Sequence, residues 1–271
     1  MKKLLGILVL GLLWCNYSFA ETIVKLPKDT ASGYKKLFKS LTGKYYKKHG
    51  MQVVDKKDSH PVRAGKKSIR FEVRPGDCGY DDSWSDCERD RQRHELSGQR
   101  FGPGEGWYAW SIFIPEDFSI IFPAKAMFGQ FYLKGEGPIF AFENQWPDRN
   151  IGGGYHIERD FIHYNKLDTI TSDEEMRGKW TDILVHAKWS DKDDGFFKVW
   201  VNSQPKYDYM GRTLLKKSSK VYFKFGIYRS FISRWKNKNN QQDVPGQVLY
   251  FDEVRVGKSK KKVVGKLPPL K

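Results

Sequence analysis

The 271-residue chain carries 48 Lys and Arg against 32 Asp and Glu, a formal charge of +16, with 39% hydrophobic and 15% aromatic residues. That apolar and aromatic content excludes a disordered polyelectrolyte, and three cysteines exclude a disulfide-dense miniature scaffold. The length suffices for one large core, and the positive excess points to an acidic partner.

Residues 1–20 read as a secretory leader. Lys2 and Lys3 precede the apolar run Leu4 to Leu13, and Ser18-Phe19-Ala20 offers small residues at the −3 and −1 cleavage positions. The apolar run is too short to span a bilayer. Cleavage would leave 251 residues with 46 basic side chains against 32 acidic, a charge of +14. The expectation is a soluble, secreted or periplasmic monomer without stable membrane insertion. Of its cysteines only Cys78 and Cys87 remain after cleavage, and in an exported chain they most simply pair as a disulfide.

Residues 21–66 are polar and lysine-rich and are expected to pack on the main domain. Within them, 31–48 fits a short basic helix with Tyr34, Leu37, Phe38 and Leu41 on one face. From residue 67 the pattern turns β-like. Candidate strands are 67–74, 107–115, 126–134, 138–144, 153–160, 180–189, 196–202, 220–230 and 247–257, rich in Ile, Val, Phe, Tyr and Trp and bounded by turn residues. Strands do not alternate with long helices. The reading is therefore all-β, a sandwich or jelly roll with a concave groove, in one domain over 67–257. Residues 258–271 read as a solvated basic tail.

Several chemistries lack their signatures. The chain has neither a Gly-rich phosphate loop nor a Gly-x-Ser-x-Gly elbow. Its six histidines lack metal-binding spacing, so no metal site is expected. Asp77, Asp81, Asp82, Asp86, Glu88 and Asp90 offer oxygen ligands of the kind Ca²⁺ takes, but without the spacing of a recognised loop. They read instead as a solvated loop, and no cofactor is required. Nucleic acid is a natural partner for so basic a chain, but export and the lack of a nucleic-acid module speak against it.

Three segments carry the chemistry: 89–96, 129–132 and 222–229. In a strand, side chains alternate faces. Tyr222, Lys224 and Tyr228 therefore share one face, and Phe223, Phe225 and Ile227 the other. By the same rule Gln130 pairs in direction with Tyr132, and Arg91 and Arg93 with Glu95. Side by side, these strands build a polar, aromatic, cationic groove suited to an anionic sugar polymer, with rings for sugar faces and Arg or Lys for carboxylate. The groove also suits β-elimination at a uronic acid. Donors neutralise the carboxylate as negative charge spreads from C5. A base then takes H5 and an acid protonates O4. Tyrosine can serve once a neighbouring cation favours its phenolate.

The Arg-x-Glu, Gln-x-aromatic and Tyr-Phe-Lys-x-Gly-x-Tyr motifs, in this order, resemble the jelly-roll polysaccharide lyases. The nearest group is the heparin lyase I-like and glucuronan lyases, with alginate lyases more distant. The stretches Gly76-Asp77-Cys78, Asp90-Arg91-x-Arg93-x-Glu95-Leu96 and Asp252-Glu253-Val254-Arg255-Val256-Gly257 also fit, so the resemblance spans roughly 67–257. It implies that Tyr228 is catalytic base, acid or both. It implies further that Gln130 and Arg93 neutralise the carboxylate, that Glu95 holds Arg93, and that Lys224 tunes Tyr228 or binds substrate. Tyr222, Tyr132, Arg91 and Arg159 complete the expected substrate contacts. The chain departs from the alginate lyases at Tyr132, where they carry histidine. His94 or His156 would have to replace it, unless Tyr228 performs both proton transfers in a syn elimination. A non-catalytic carbohydrate-binding jelly roll is the alternative, because fold alone does not fix function.

Overall fold

The computed structural model describes residues 23–25, 37–40, 47–81, 84–133, 136–146, 151–159 and 166–264. The expected leader, residues 1–20, lies outside them. In chain order the strands are β1 (Ile23–Lys25), β2 (Leu37–Ser40), β3 (Met51–Asp55), β4 (Lys67–Val73), β5 (Tyr80–Asp81), β6 (Trp84–Ser85), β7 (Arg91–Phe101), β8 (Gly104–Phe113) and β9 (Lys125–Leu133). They continue with β10 (Gly137–Trp146), β11 (Ile151–Arg159), β12 (Lys166–Thr171), β13 (Trp180–Trp189), β14 (Phe196–Val201), β15 (Gln204–Met210), β16 (Val221–Ser230) and β17 (Gln247–Gly257). Among the described residues, three short α-helices accompany them, α1 (Asp173–Met176), α2 (Ile232–Lys238) and α3 (Lys260–Val264), together with a 3-10 turn at Lys56–Asp58.

All the strands but β5 and β6, which pair with each other, form two antiparallel sheets. One has eight strands in the order β1-β2-β7-β16-β9-β10-β11-β12, and the other seven in the order β15-β14-β13-β8-β17-β4-β3. The expected all-β jelly-roll sandwich is the observed architecture. Aromatic side chains from both sheets meet between them. Phe225 packs edge-on against Phe71 and Phe251, and Phe223 lies 4.9 Å from Trp110, centroid to centroid. Every second residue of β13 is buried, the signature of a strand with one face on the core and one outside. The central strands β9 and β16 are buried along most of their length on both faces. Their outward side chains therefore press against one another, and these are the residues of the groove.

The N-terminal segment differs from its expected form. Where a basic helix was expected over 31–48, residues Leu37–Ser40 are extended and pair with β7, Lys39 opposite Ser97. A short apolar run fits either period, and the unpaired backbone edge of β7 decides for a strand. β3 adds to the edge of the second sheet beside β4. At the other terminus, part of the expected solvated tail is the helix α3. Val263 is buried there, and Arg255 donates to the carbonyls of Val263 and Val264. The guanidinium thus satisfies carbonyls that the helix end leaves open.

Cys78 and Cys87 form a disulfide, with their Cα atoms 5.4 Å apart. It closes the turn that leads into β7. On β16, Gly226 adopts φ +139° opposite Glu95. A Cβ there would lie 2.4 Å from the His94 carbonyl oxygen and 2.8 Å from the Glu95 Cα. The glycine of the Lys-x-Gly-x-Tyr motif is therefore the residue that lets β7 and β16 approach. Gly226→Ala should destabilise the fold by about 1–3 kcal/mol, read as a lowered urea midpoint. An unchanged midpoint would show that the two strands tolerate separation.

Candidate active site

Inter-strand register assembles the site on the outer face of the eight-stranded sheet. Arg93 stands opposite Tyr228, Glu95 opposite Gly226, and Lys224 between Ser97 and Gln130. The two strands that flank β16 thus bring the three sequence motifs together. Core packing of Leu96, Phe131, Phe223 and Phe225 turns their neighbours outward.

Arg93 is the hub. Its Nε and Nη2 donate to the two oxygens of Asp86 at 2.6 and 2.5 Å, and its Nη1 donates to Glu95 Oε2 at 3.4 Å. The guanidinium lies 4.2 Å from the ring centroid of Tyr228 and 5.5 Å from that of Trp84. The bidentate fork fixes the plane of the guanidinium, which then presents its face to the phenol. Gln130 donates from Nε2 to the other Glu95 oxygen. Beside them Lys224 Nζ sits 3.6 Å from the ring centroid of Tyr132, a cation–π contact. Tyr222 is the cross-strand partner of Tyr132, and both phenols are half-buried.

Asp86 was expected in a solvated acidic loop, and the structure places it elsewhere. It is only 1% exposed and is the main partner of Arg93. Of the other described residues of that stretch, Asp77 turns to His49 and His94, while Asp90 accepts from Ser233. Asp77, Asp86 and Asp90 thus do not converge on a common point as Ca²⁺ ligands would. Glu95 holds both Arg93 and Gln130, with the former also tied to Asp86.

Burial dominates the electrostatics. It pushes the Tyr228 phenol above its ordinary value, against the pull of the Arg93 and Arg91 charges. The cations that would favour a phenolate are present, but desolvation outweighs them because Asp86 and Glu95 cancel much of their charge. Arg93 is held above its usual range: burial opposes its charge, and the Asp86 hydrogen bonds and the Glu95 charge prevail. Lys224 is driven the other way. Burial, aided by Arg93 and opposed by Glu95 and Asp86, lowers its ammonium to about 8. The site therefore holds one amine that titrates near neutrality beside a phenol that is protonated there.

The remaining candidates fall into two groups. Arg91 lies on the groove side near enough to act on Tyr228. His94 does not belong to the groove. It alternates with Arg93 and Glu95, and its fully buried ring turns toward Asp77 and His49 behind the sheet. No bulge intervenes between His94 and its neighbours, since the register from Arg91 to Ser97 runs unbroken. His156 is buried on β11 and is engaged by Gly153 O at 2.7 Å and Thr169 Oγ1 at 3.0 Å. Burial lowers its pKa, against the opposing pull of the Gly153 hydrogen bond. Arg159 stacks 4.2 Å from the ring centroid of Tyr209 on β15, at the lateral margin of the sandwich. Neither is joined by a contact to the Arg93–Tyr228 group.

One cluster escaped the sequence reading. On β9, β10 and β11, Lys125 Nζ lies 2.8 Å from Glu143 Oε1 and 2.5 Å from Glu158 Oε2. Met127 joins it to the site, facing both Tyr228 and Glu143 across the strands. Burial, reinforced by Glu158 and opposed by Lys125, pushes the Glu143 carboxyl well above the usual carboxylate range. Each of these residues lies in an ordinary strand segment, and only register brings the three together.

The site offers hydrogen-bond donors, a phenol and aromatic faces along one strip. Three of the five N–H groups of Arg93 are taken by carboxylates. The rest, with the second amide N–H of Gln130, remain as donors for an anion. This arrangement can hold a carboxylate beside a tyrosine hydroxyl, the requirement for proton abstraction next to an acid group.

The fold has known counterparts. An endo-β-1,4-glucuronan lyase from the fungus Trichoderma reesei superposes with a TM-score of 0.55 at 16% identity, over 80% of this chain and 91% of that one. The alginate lyase AlgAT5 of polysaccharide lyase family 7 superposes with a TM-score of 0.52 at 15% identity, over 79% of this chain and 85% of the other. At these identities they establish a shared jelly-roll fold. No curated protein matches the sequence. The profile of one family, described as polysaccharide lyase, matches residues 38–255, and the chain belongs to that family.

Proposed function

We propose that this polysaccharide lyase is an exported enzyme that cleaves a uronate-containing anionic polysaccharide by β-elimination at the Arg93–Tyr228 site. The observation that carries this reading is the Tyr228 phenol packed on a guanidinium that Asp86 and Glu95 hold in place, with Gln130 and Lys224 alongside. The leader-like residues 1–20 support export.

In this reading the substrate carboxylate lies against the remaining donors of Arg93 and Gln130, which stabilise the charge that spreads onto it as H5 leaves. Tyr228, as phenolate, takes H5. The C5–H electrons form the C4=C5 double bond and the C4–O4 bond breaks. The proton on Tyr228 passes to O4 and restores the phenolate. The products are a 4,5-unsaturated uronate and a new hydroxyl end, with atoms and charge balanced. Using one residue for both transfers fits the placement of His94 behind the sheet and the engagement of both His156 ring nitrogens. Tyr132 and Tyr222 supply stacking faces, and Lys224 a cation for a neighbouring carboxylate.

Folded protein incubated with glucuronan, alginate or heparan sulfate should raise the ultraviolet absorbance of the unsaturated uronate with at least one polymer. Tyr228→Phe should lower kcat by about 10²–10⁴-fold while leaving polymer binding within a few-fold. Binding without turnover in the parent protein would instead favour a carbohydrate-binding role.

Two groups set the pH dependence. The Tyr228 phenol is raised, so its phenolate fraction, and with it kcat, should climb through neutral and mildly alkaline pH. Lys224 sheds its charge as pH passes about 8, so KM should rise there. Lys224→Met should abolish that rise in KM and leave the climb in kcat. An unchanged KM profile in the variant would remove Lys224 from substrate binding.

A further inference from the structure

The face of β7 turned away from the groove carries a second group of side chains. His94 lies against Gly50, where a Cβ would fall 1.9 Å from the ring Nδ1 and 2.1 Å from Cε1. Only glycine lets the chain pass so close. The residue before it, His49, places Nε2 2.8 Å from Asp77 Oδ2, and His94 Nε2 is 3.3 Å from the same oxygen. The two imidazole rings meet edge to face at 5.6 Å. One ligand-capable atom from each of the three residues lies within 4.8 Å of the other two.

Asp77 is anchored independently of the histidines. Its Oδ2 accepts the Arg74 N–H at 2.8 Å, its own N–H donates to Arg74 O at 3.2 Å, and its carbonyl accepts the Arg93 N–H at 3.1 Å. The next residue, Cys78, is fixed by the disulfide to Cys87. Three segments distant in sequence are thus held so that two imidazoles and one carboxylate converge.

We propose that His49, Asp77 and His94 bind one divalent transition-metal ion of the zinc class. Two nitrogen donors and one oxygen donor suit zinc, with water as the fourth ligand. Calcium takes six to eight oxygens and does not suit this set. Ligand bonds of about 2.0–2.2 Å in tetrahedral geometry put neighbouring donors about 3.3–3.6 Å apart. The His94–Asp77 separation of 3.3 Å lies at the short end of that range, and His49, at 2.8 Å from the same oxygen, has to withdraw by about 0.5–0.8 Å to reach it. The half-buried His49 gives access from solvent, as its side chain is 23% exposed against 1% for His94. The Arg74 N–H orients the carboxylate as an outer partner orients a metal ligand.

The surrounding charges set the affinity. Arg229 acts on both Asp77 and His94 and opposes a cation, although its guanidinium is committed to Pro245 O at 2.6 Å, Arg74 O at 3.1 Å and Gln92. Glu72 favours a cation and is itself tied to Arg70 and Arg74. The ion would lie on the opposite side of β7 from Arg93 and Glu95. Its role is to tie the turn before β3, the disulfide-closed turn and β7 together. The proposal rests on these ligands alone and is independent of the reaction assigned to the groove.

The test uses the mature protein freed of metal by a chelator and then titrated with Zn²⁺ alone, Co²⁺ alone or Ca²⁺ alone. The expected result is one equivalent of Zn²⁺ by calorimetry, visible absorption of four-coordinate Co²⁺, and a thermal midpoint that rises with zinc as linkage requires. His49→Ala should bind Zn²⁺ at least ~10-fold more weakly, and zinc should no longer raise its midpoint. Absence of Zn²⁺ binding, equal binding by His49→Ala, or displacement of zinc by Ca²⁺ would each overturn the assignment.

Discussion

A guanidinium buried beside a phenol organises the outer face of this molecule. Arg93 can stay charged there because Asp86 grips it through two parallel hydrogen bonds and Glu95 through a third. Breaking such a pair leaves an uncompensated buried charge, at a cost of about 3–5 kcal/mol. The same fork fixes the face that Tyr228 packs on, and Glu95 fixes Gln130. Asp86 in turn is held by the turn that the Cys78–Cys87 disulfide closes. Geometry at the groove thus traces back to one covalently closed turn.

That turn also shows how a single strand serves two environments. Alternation along β7 sends Arg93 and Glu95 to the groove and Gln92, His94 and Leu96 inward. Leu96 joins the apolar core, while Gln92 and His94 join a polar group with Arg229 and Asp77. Buried polar residues on the inner face of a sandwich are costly unless satisfied. Here Arg229 finds two backbone carbonyls and a side-chain amide. The close approach of β7 and β16 depends on Gly226, so the motif that places Tyr228 also sets the spacing of the strands behind it.

Much of the architecture was legible from residue types. The period-two runs of β-branched and aromatic residues marked β4, β8, β9, β10, β11, β13, β14, β16 and β17, whose ends shifted by a few residues at most. The parity of 222–229 and of 91–95 separated groove from core side chains, and cross-strand register placed Arg93 beside Tyr228 and Lys224 beside Gln130. Other strands were not among the candidates: β7, although its parity over 91–95 was read, the edge strands β3, β12 and β15, and the outlying β1 and β2. The short β2, β3 and β15 take their form from the backbone edge they join, a partner absent from their own sequence. The acidic stretch after Gly76 was misleading for a related reason. Charge suggested solvent, whereas Asp86 and Asp77 face opposite sides of a folded turn and meet different partners.

The sequence by itself determined the fold class, the alternation that sends Tyr228, Lys224, Gln130 and Arg93 to the outer face of their sheet, and the order of motifs that resembles the lyases. These properties are local or periodic, and the chain writes them directly. Tertiary structure alone decided the pairing of Arg93 with Asp86, the balance of burial against charge at Tyr228 and Lys224, the Lys125–Glu143–Glu158 cluster, and the meeting of His49 with Asp77 and His94. Each depends on distances between segments far apart in the chain and on how much water the assembled sheets exclude. Residue spacing along one strand carries neither quantity.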